Sequence, residues 1–173
     1  MKTALFAKTD AKRNDPRLQL IYDSVPQMTV YQVWNGEDLL PDTDMILSVG
    51  GDGTFLSAAS MACRRGIPVL GVNLGRMGFL SEYTPAQVAR ALREGDYIIE
   101  ERQMLRSDVS GGEECFSLNE VSVNRGGAAM LGIDVRINGR ALPTYWADGL
   151  LVATSSGSTA SRSISASYSR QGM

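Results

Sequence analysis

The apolar run Met45-Ile46-Leu47-Ser48-Val49 enters the turn Gly50-Gly51-Asp52-Gly53-Thr54 and leaves it into Phe55-Leu56-Ser57-Ala58-Ala59. That order reads as strand, loop and helix, with the loop at the helix N-terminus. Free backbone N–H groups at such a terminus attract anions. Glycines at 50, 51 and 53 remove the side chains that would keep a polyphosphate at a distance. Asp52 is the odd residue, because a carboxylate among phosphate donors is repulsive unless a cation bridges it or it serves as a base. Taken as a dipeptide, Asp52-Gly53 would be a turn with Thr54 capping the helix. The loop lacks the Gly-Lys-Ser/Thr end of the Walker phosphate loop and does not match the Gly-x-Gly-x-x-Gly dinucleotide fingerprint.

Further strand-like runs occupy residues 3–7, 29–34 and 67–72, and their alternation with helix-like segments predicts a mostly parallel sheet with crossing helices. Residues 54–65 place Phe55, Ala58, Ala59, Ala62 and Cys63 at helical spacing, with Arg64-Arg65-Gly66 as a stop. Thr84-Pro85-Ala86-Gln87 reads as a capping box with proline at the first helical position, opening a helix that ends at Gly95. From Tyr97 the pattern becomes β-rich, with runs at 97–100, 115–124 and 133–137. Asn138-Gly139 is a hairpin signal before Arg140-Ala141-Leu142. The expected fold class is therefore an α/β N-terminal domain with a mostly parallel sheet, followed by a partial β-rich domain, antiparallel and sandwich-like. The expected divisions are 1–96 for the phosphate- and nucleotide-binding part, 97–154 for the β-rich part and 155–173 for a serine-rich tail. That tail has too little apolar content to bury and is expected to be flexible.

The 43% hydrophobic content of the 173 residues is that of a chain with a real core. A net charge of −2 with scattered Lys and Arg predicts no nucleic acid partner and no attraction to anionic membranes, so any anion site must be local. Cys63 and Cys115 form no Cys-x-x-Cys pair and read as reduced thiols, and no secretory signal or apolar run near twenty residues is seen, so the expected location is the cytoplasm. Histidine is absent, which removes a histidine base, Ser/Cys–His hydrolase chemistry and the usual zinc sites.

Four more segments carry candidate chemistry. The loop Asn73-Leu74-Gly75-Arg76-Met77-Gly78-Phe79-Leu80 follows a strand, where open α/β sheets bind ligands; it also reads as an ordinary glycine-rich connection. Asn119-Glu120 interrupts a strand-like run with two polar side chains, as a site, a bulge or a solvent-facing pair would. Asp148-Gly149 precedes Leu150-Leu151-Val152-Ala153, and Gly157-Ser158-Thr159-Ala160 follows as a second small-residue loop able to approach a nucleotide.

These five motifs, in this order and approximate spacing, resemble those of NAD kinases, and the resemblance runs from the N-terminus to about Ala160. It implies transfer of the terminal phosphoryl group of ATP, or of polyphosphate, to the adenosine 2′-hydroxyl of NAD, giving NADP. It also implies an active site between two domains, a divalent cation (Mg2+ or Mn2+) and a homodimer or tetramer. Asp52 would be the catalytic base, with Gly50, Gly51, Gly53, Thr54 and Asn73 at the nucleotide. Asn119 and Glu120 would hold NAD, and Phe79, Asp148, Thr159 and Ala160 would line the same pocket. The metal ligands stay unassigned. An aspartate of ordinary pKa, about 3.9, is a feeble base, and such help is typically worth about 10²–10⁴ in rate, so positioning must supply more.

The chain departs from the family pattern near its end. Ser155-Ser156 stand where the family has Pro-Thr, Ser161 stands in place of a tyrosine, and the β domain is expected to be truncated, its serine-rich end reading as a shifted frame. Two alternatives accompany the leading reading. One is a lipid or sugar kinase sharing the Gly-Gly-Asp-Gly-Thr motif; the other is a truncated, inactive nucleotide-binding remnant.

Overall fold

The computed structural model describes residues 1–75 and 78–157, in two compact units, the first Met1–Glu101 and the second beginning at Arg102. In the first unit the four apolar runs become four parallel strands: β1 (Lys2–Phe6), β2 (Thr29–Val33), β3 (Met45–Val49) and β4 (Val69–Val72). The sheet order is β2-β1-β3-β4, with Ala4 beside Ile46 and Ile46 beside Val69. Two short helices, α1 (Asp10–Arg13) and α2 (Gln19–Ser24), connect β1 to β2; α3 (Asp52–Cys63) connects β3 to β4, and α4 (Pro85–Glu94) follows.

Both faces of the sheet are covered, which is why all five residues of β3 are buried. On one face Leu5, Leu47 and Val49 pack with Leu18, Ile21 and Val88 from the α2 and α4 side. On the other, Ala4, Phe6 and Ile46 pack with Val33 of β2 and with Ala58 and Ala62 of α3. Alternate strand residues thus serve opposite layers, and each fully buried Leu or Ile stabilises the fold by about 1.5–3 kcal/mol. The chain runs outward from β1 to β2 in one direction and from β3 to β4 in the other. A crevice therefore opens at the carboxyl ends of β1 and β3, the position where such sheets bind ligands.

α4 begins as its sequence indicates: the Thr84 N–H donates to Gln87 Oε1 at 2.9 Å, the Gln87 N–H returns to Thr84 Oγ1 at 3.4 Å, and the helix stops at Gly95. α3 starts two residues earlier than the apolar spacing indicates. Gly51 is its N-cap, and Thr54 lies buried within the first turn instead of capping it. The acidic Asp52 occupies the first turn, where a negative charge complements the helix dipole.

The second unit is built from antiparallel pairs: β5 (Leu105–Ser107) with β6 (Cys115–Ser117), β7 (Glu120–Asn124) with β12 (Gly149–Ala153), β8 (Leu131–Ile133) with β11 (Tyr145–Ala147), and β9 (Arg136–Ile137) with β10 (Arg140–Ala141). The last three pairs are nested, and Asn138-Gly139 makes the innermost turn with φ of 50° and 80°, both positive as a type I′ hairpin demands. The expected strand at 97–100 does not form: those residues have no regular structure, and Ile98 and Ile99 are exposed. The expected runs 115–124 and 133–137 are each broken, at Leu118-Asn119 and at Asp134-Val135. Cys63 ends α3 and Cys115 begins β6, and both are free thiols. Among the described residues no helix is long and apolar enough to cross a membrane.

Candidate functional site

The strand β3 delivers its chain end into the glycine turn at the crevice. Gly50 has φ of +154°, and a Cβ there would sit 2.4 Å from Thr54 Oγ1, so the backbone can pass only as glycine. Its N–H donates to the Val72 carbonyl at 2.9 Å, tying the turn to β4. Asp52 then projects from the first turn of α3 onto the loop that follows β4.

Three backbone donors meet its carboxylate. Oδ2 accepts from the Phe79 N–H at 2.9 Å, and Oδ1 accepts from Leu80 at 2.9 Å and from Ser81 at 3.2 Å. Partial burial pushes the Asp52 pKa up, but the N–H groups of Phe79, Leu80 and Ser81 outweigh it and hold the carboxyl below its ordinary range. The loop approaches so closely that a Cβ on Gly78 would lie 2.1 Å from Asp52 Oδ1. Phe79 reaches Asp52 through its backbone N–H, and the residue is 91% exposed. Asn73 is buried and organises the start of the same loop: its Nδ2 donates to the Ser81 carbonyl at 2.7 Å, and its Oδ1 accepts from the Gly75 N–H at 2.7 Å.

Beside the glycine turn is a cavity of about 380 Å³ lined by Gly50, Gly51, Asn73 and Gly75 together with Lys12, Arg17 and the acidic Asp15. Arg17 is held in place by a two-pronged ion pair with Asp15, at 2.9 and 2.8 Å, and by donation to the Leu74 carbonyl at 3.0 Å. The Arg17 guanidinium lowers the Asp15 pKa to about 2. Lys8 Nζ would be 3.8 Å from a Cβ at Gly53. Backbone amides and cationic side chains around a glycine-lined hollow suit a polyphosphate. Among the described residues no three acidic, cysteine or histidine side chains gather around a metal position.

In the second unit, Asn119 and Glu120 sit where the 115–124 run breaks. The Asn119 carbonyl accepts from the Thr154 N–H at 2.8 Å, and Glu120 pairs with Ala153 across the β7–β12 ladder. Asn119 Oδ1 and Glu120 Oε2 are buried without a hydrogen-bond partner among the described residues. Such orphaned acceptors are costly unless something completes them. Asp148 lies just beyond the other end of that ladder, five residues or roughly 17 Å along the strand from Glu120. There it pairs with Arg125 at 3.0 Å, so the structure does not bring it beside Asn119 and Glu120. Gly157 returns to Asn119, with a Cβ there 2.8 Å from the Asn119 carbonyl oxygen. Thr159 and Ala160 lie outside the described residues, as does the tail beyond Gly157.

Comparison with known proteins places this geometry. The model of the ATP-NAD kinase N-terminal domain matches residues 36–96, which span β3, the glycine turn, β4 and α4. An NAD kinase of Bacteroides fragilis is 44% identical over 126 residues, covering 69% of this chain and 43% of its own. The crystal structure of an NAD kinase from Archaeoglobus fulgidus in complex with ATP superposes with a TM-score of 0.67 at 29% identity, over 88% of this chain and 60% of that one. The chain belongs to the NAD kinase family. Yeast NADH kinase complexed with NADH, at 22% identity and a TM-score of 0.73 over 94% of this chain and 60% of that one, shares the fold. The chain spans about half the length of the curated relatives it matches.

Within the family frame, the residues that sequence reasoning passes over are Gly78, Ser81, Lys12 and Arg17. Gly78 lies within, and Ser81 adjoins, a loop that the sequence does single out, but Gly78 acts by the space it leaves and Ser81 by its backbone and a bond from its hydroxyl to the Gly50 carbonyl. Lys12 and Arg17 lie in the short helical connection after β1, where they are interspersed with Lys8, Arg13 and two aspartates and no motif marks them.

Proposed function

We propose that the chain carries out, or contributes the phosphoryl-transfer half of, NAD phosphorylation: the terminal phosphoryl group of ATP or polyphosphate passes to the adenosine 2′-hydroxyl of NAD, giving NADP. The observation that carries this reading is the ionised Asp52 carboxylate, fixed by three backbone N–H groups beside a cationic, glycine-lined cavity at the carboxyl ends of the sheet. The phosphates of the donor would occupy that cavity, against Lys12, Arg17 and the amides of Gly50 and Gly51. Asn119 and Glu120 would hold NAD, their orphaned buried oxygens accepting from its polar groups, with Gly53, Thr54, Thr159 and Ala160 completing the nucleotide contacts.

In the reaction the 2′-oxygen forms its bond to the phosphorus as the bond to the leaving nucleoside diphosphate breaks, and the hydroxyl proton departs towards Asp52. A carboxylate held below its ordinary pKa takes that proton poorly, so its larger service is to accept the hydroxyl hydrogen bond and aim the oxygen at the phosphorus. A divalent cation, Mg2+ or Mn2+, fits as a guest of the phosphates, because among the described residues no three acidic, cysteine or histidine side chains form a cage and Asp15, the carboxylate that lines the cavity, is engaged by Arg17. When bound it would neutralise phosphate charge. A homodimer or tetramer in the cytoplasm is the setting we propose.

The test is NADP formation by the purified full chain with ATP and Mg2+. Asp52→Asn is expected to lower the rate by about 10²–10⁴. Undiminished turnover in that variant would remove Asp52 from the role. NAD binding without turnover, seen by calorimetry in the unaltered chain, would make it a binding module.

A further inference from the structure

We propose that Ser81 is a positioning residue for Asp52, deciding which of the two carboxylate oxygens is left open to a substrate hydroxyl. Ser81 is fully buried, and all its polar groups are committed. Its hydroxyl donates to the Gly50 carbonyl at 2.7 Å, its N–H donates to Asp52 Oδ1 at 3.2 Å, and its carbonyl accepts from Asn73 Nδ2 at 2.7 Å. One residue thus joins the glycine turn, the carboxylate and the loop after β4.

The consequence lies in the count of acceptor positions. A carboxylate offers about four, two per oxygen. Oδ1 receives both Leu80 and Ser81 and is full, whereas Oδ2 receives only Phe79 and keeps one position. Any hydroxyl that approaches Asp52 is therefore directed to Oδ2. Without the Ser81 hydroxyl the direct bond to the glycine turn is lost, Ser81 is held only through its carbonyl by Asn73 and Gly78, and its N–H bond to Oδ1, at 3.2 Å the longest of the three on Asp52, is the one that loosens. Oδ1 then reopens, and the carboxylate can present either oxygen. Naming a hydroxyl as the visitor rests on the phosphoryl-transfer reading; the anchoring does not.

The experiment is a titration of the Asp52 carboxyl by isotope-edited NMR in the full chain and in Ser81→Ala, with amide hydrogen exchange read alongside. In Ser81→Ala the Asp52 pKa is expected to rise towards the ordinary range, and the Leu80 amide to exchange about tenfold faster, while α4 amides keep their rates. An unchanged titration with unchanged Leu80 exchange in a folded variant would overturn the proposal. Should Ser81→Ala not fold, Ser81→Cys, of nearly the same shape but with a weaker donor, is read in the same way, and an unchanged Asp52 titration with unchanged Leu80 exchange in that variant would equally overturn it. Neither readout uses NAD or ATP, so failure of turnover and failure of the anchoring are separate results.

Discussion

Asp52 shows how a residue can be conspicuous in a sequence while its partners are not. The motif marks the aspartate, and the strand before it and helix after it mark its place. Its partners, however, are N–H groups of Phe79, Leu80 and Ser81, which every residue but proline possesses, so no letter in the sequence announces them. Gly78 is legible only in retrospect, as the space the carboxylate needs. Gly78→Ala would force a Cβ to 2.1 Å from Oδ1 and is expected to destabilise the first unit by roughly 1–3 kcal/mol, measured by urea unfolding. The pH dependence follows from the same contacts. Because the folded Asp52 pKa lies below that of the unfolded chain, its contribution is fully present above the ordinary carboxylate range and is lost as pH falls through the folded value. Acid unfolding curves of Asp52→Asn are expected to lack that part of the loss; identical slopes in the two proteins would contradict it.

Among the elements, those with a strong local signature were legible. The β3 run is uniformly apolar because both sheet faces are covered, and α4 carries a capping box, a first-turn proline and a terminal glycine. Thr84→Ala removes the side-chain acceptor for the Gln87 N–H and is expected to cost about 1 kcal/mol in chemical denaturation, with no change in Asp52 titration. Elements shorter than two helical turns were not legible: α1 and α2 have four and six residues, too few for a period to emerge. The failed strand at 97–100 has the opposite cause. Its apolar residues satisfy the propensity rule, but a strand needs a neighbour, and the chain there is passing from one unit to the next. Asn119-Glu120 was legible as an interruption, while its burial required the fold.

At the scale of the whole molecule, burial is unevenly shared. Among the described residues every buried apolar side chain except Leu118 belongs to the first unit, while Val109, Val123, Met130, Ile137, Trp146 and Val152 of the second are exposed. Stability is therefore expected to be graded: limited proteolysis should cut at residues 96–104 or beyond before it enters the parallel sheet, leaving a fragment that ends near Glu101. Early cleavage within β1 to β4, read by mass spectrometry, would refute that order. The bonds to Asp52 belong wholly to the robust unit, and they span 27 to 29 residues between chain segments leaving adjacent strands. Until β3 and β4 lie side by side those donors are far away, and Asp52 is an aspartate like any other. Its proton affinity is in that sense a clock for assembly, set only once the sheet beneath it is complete.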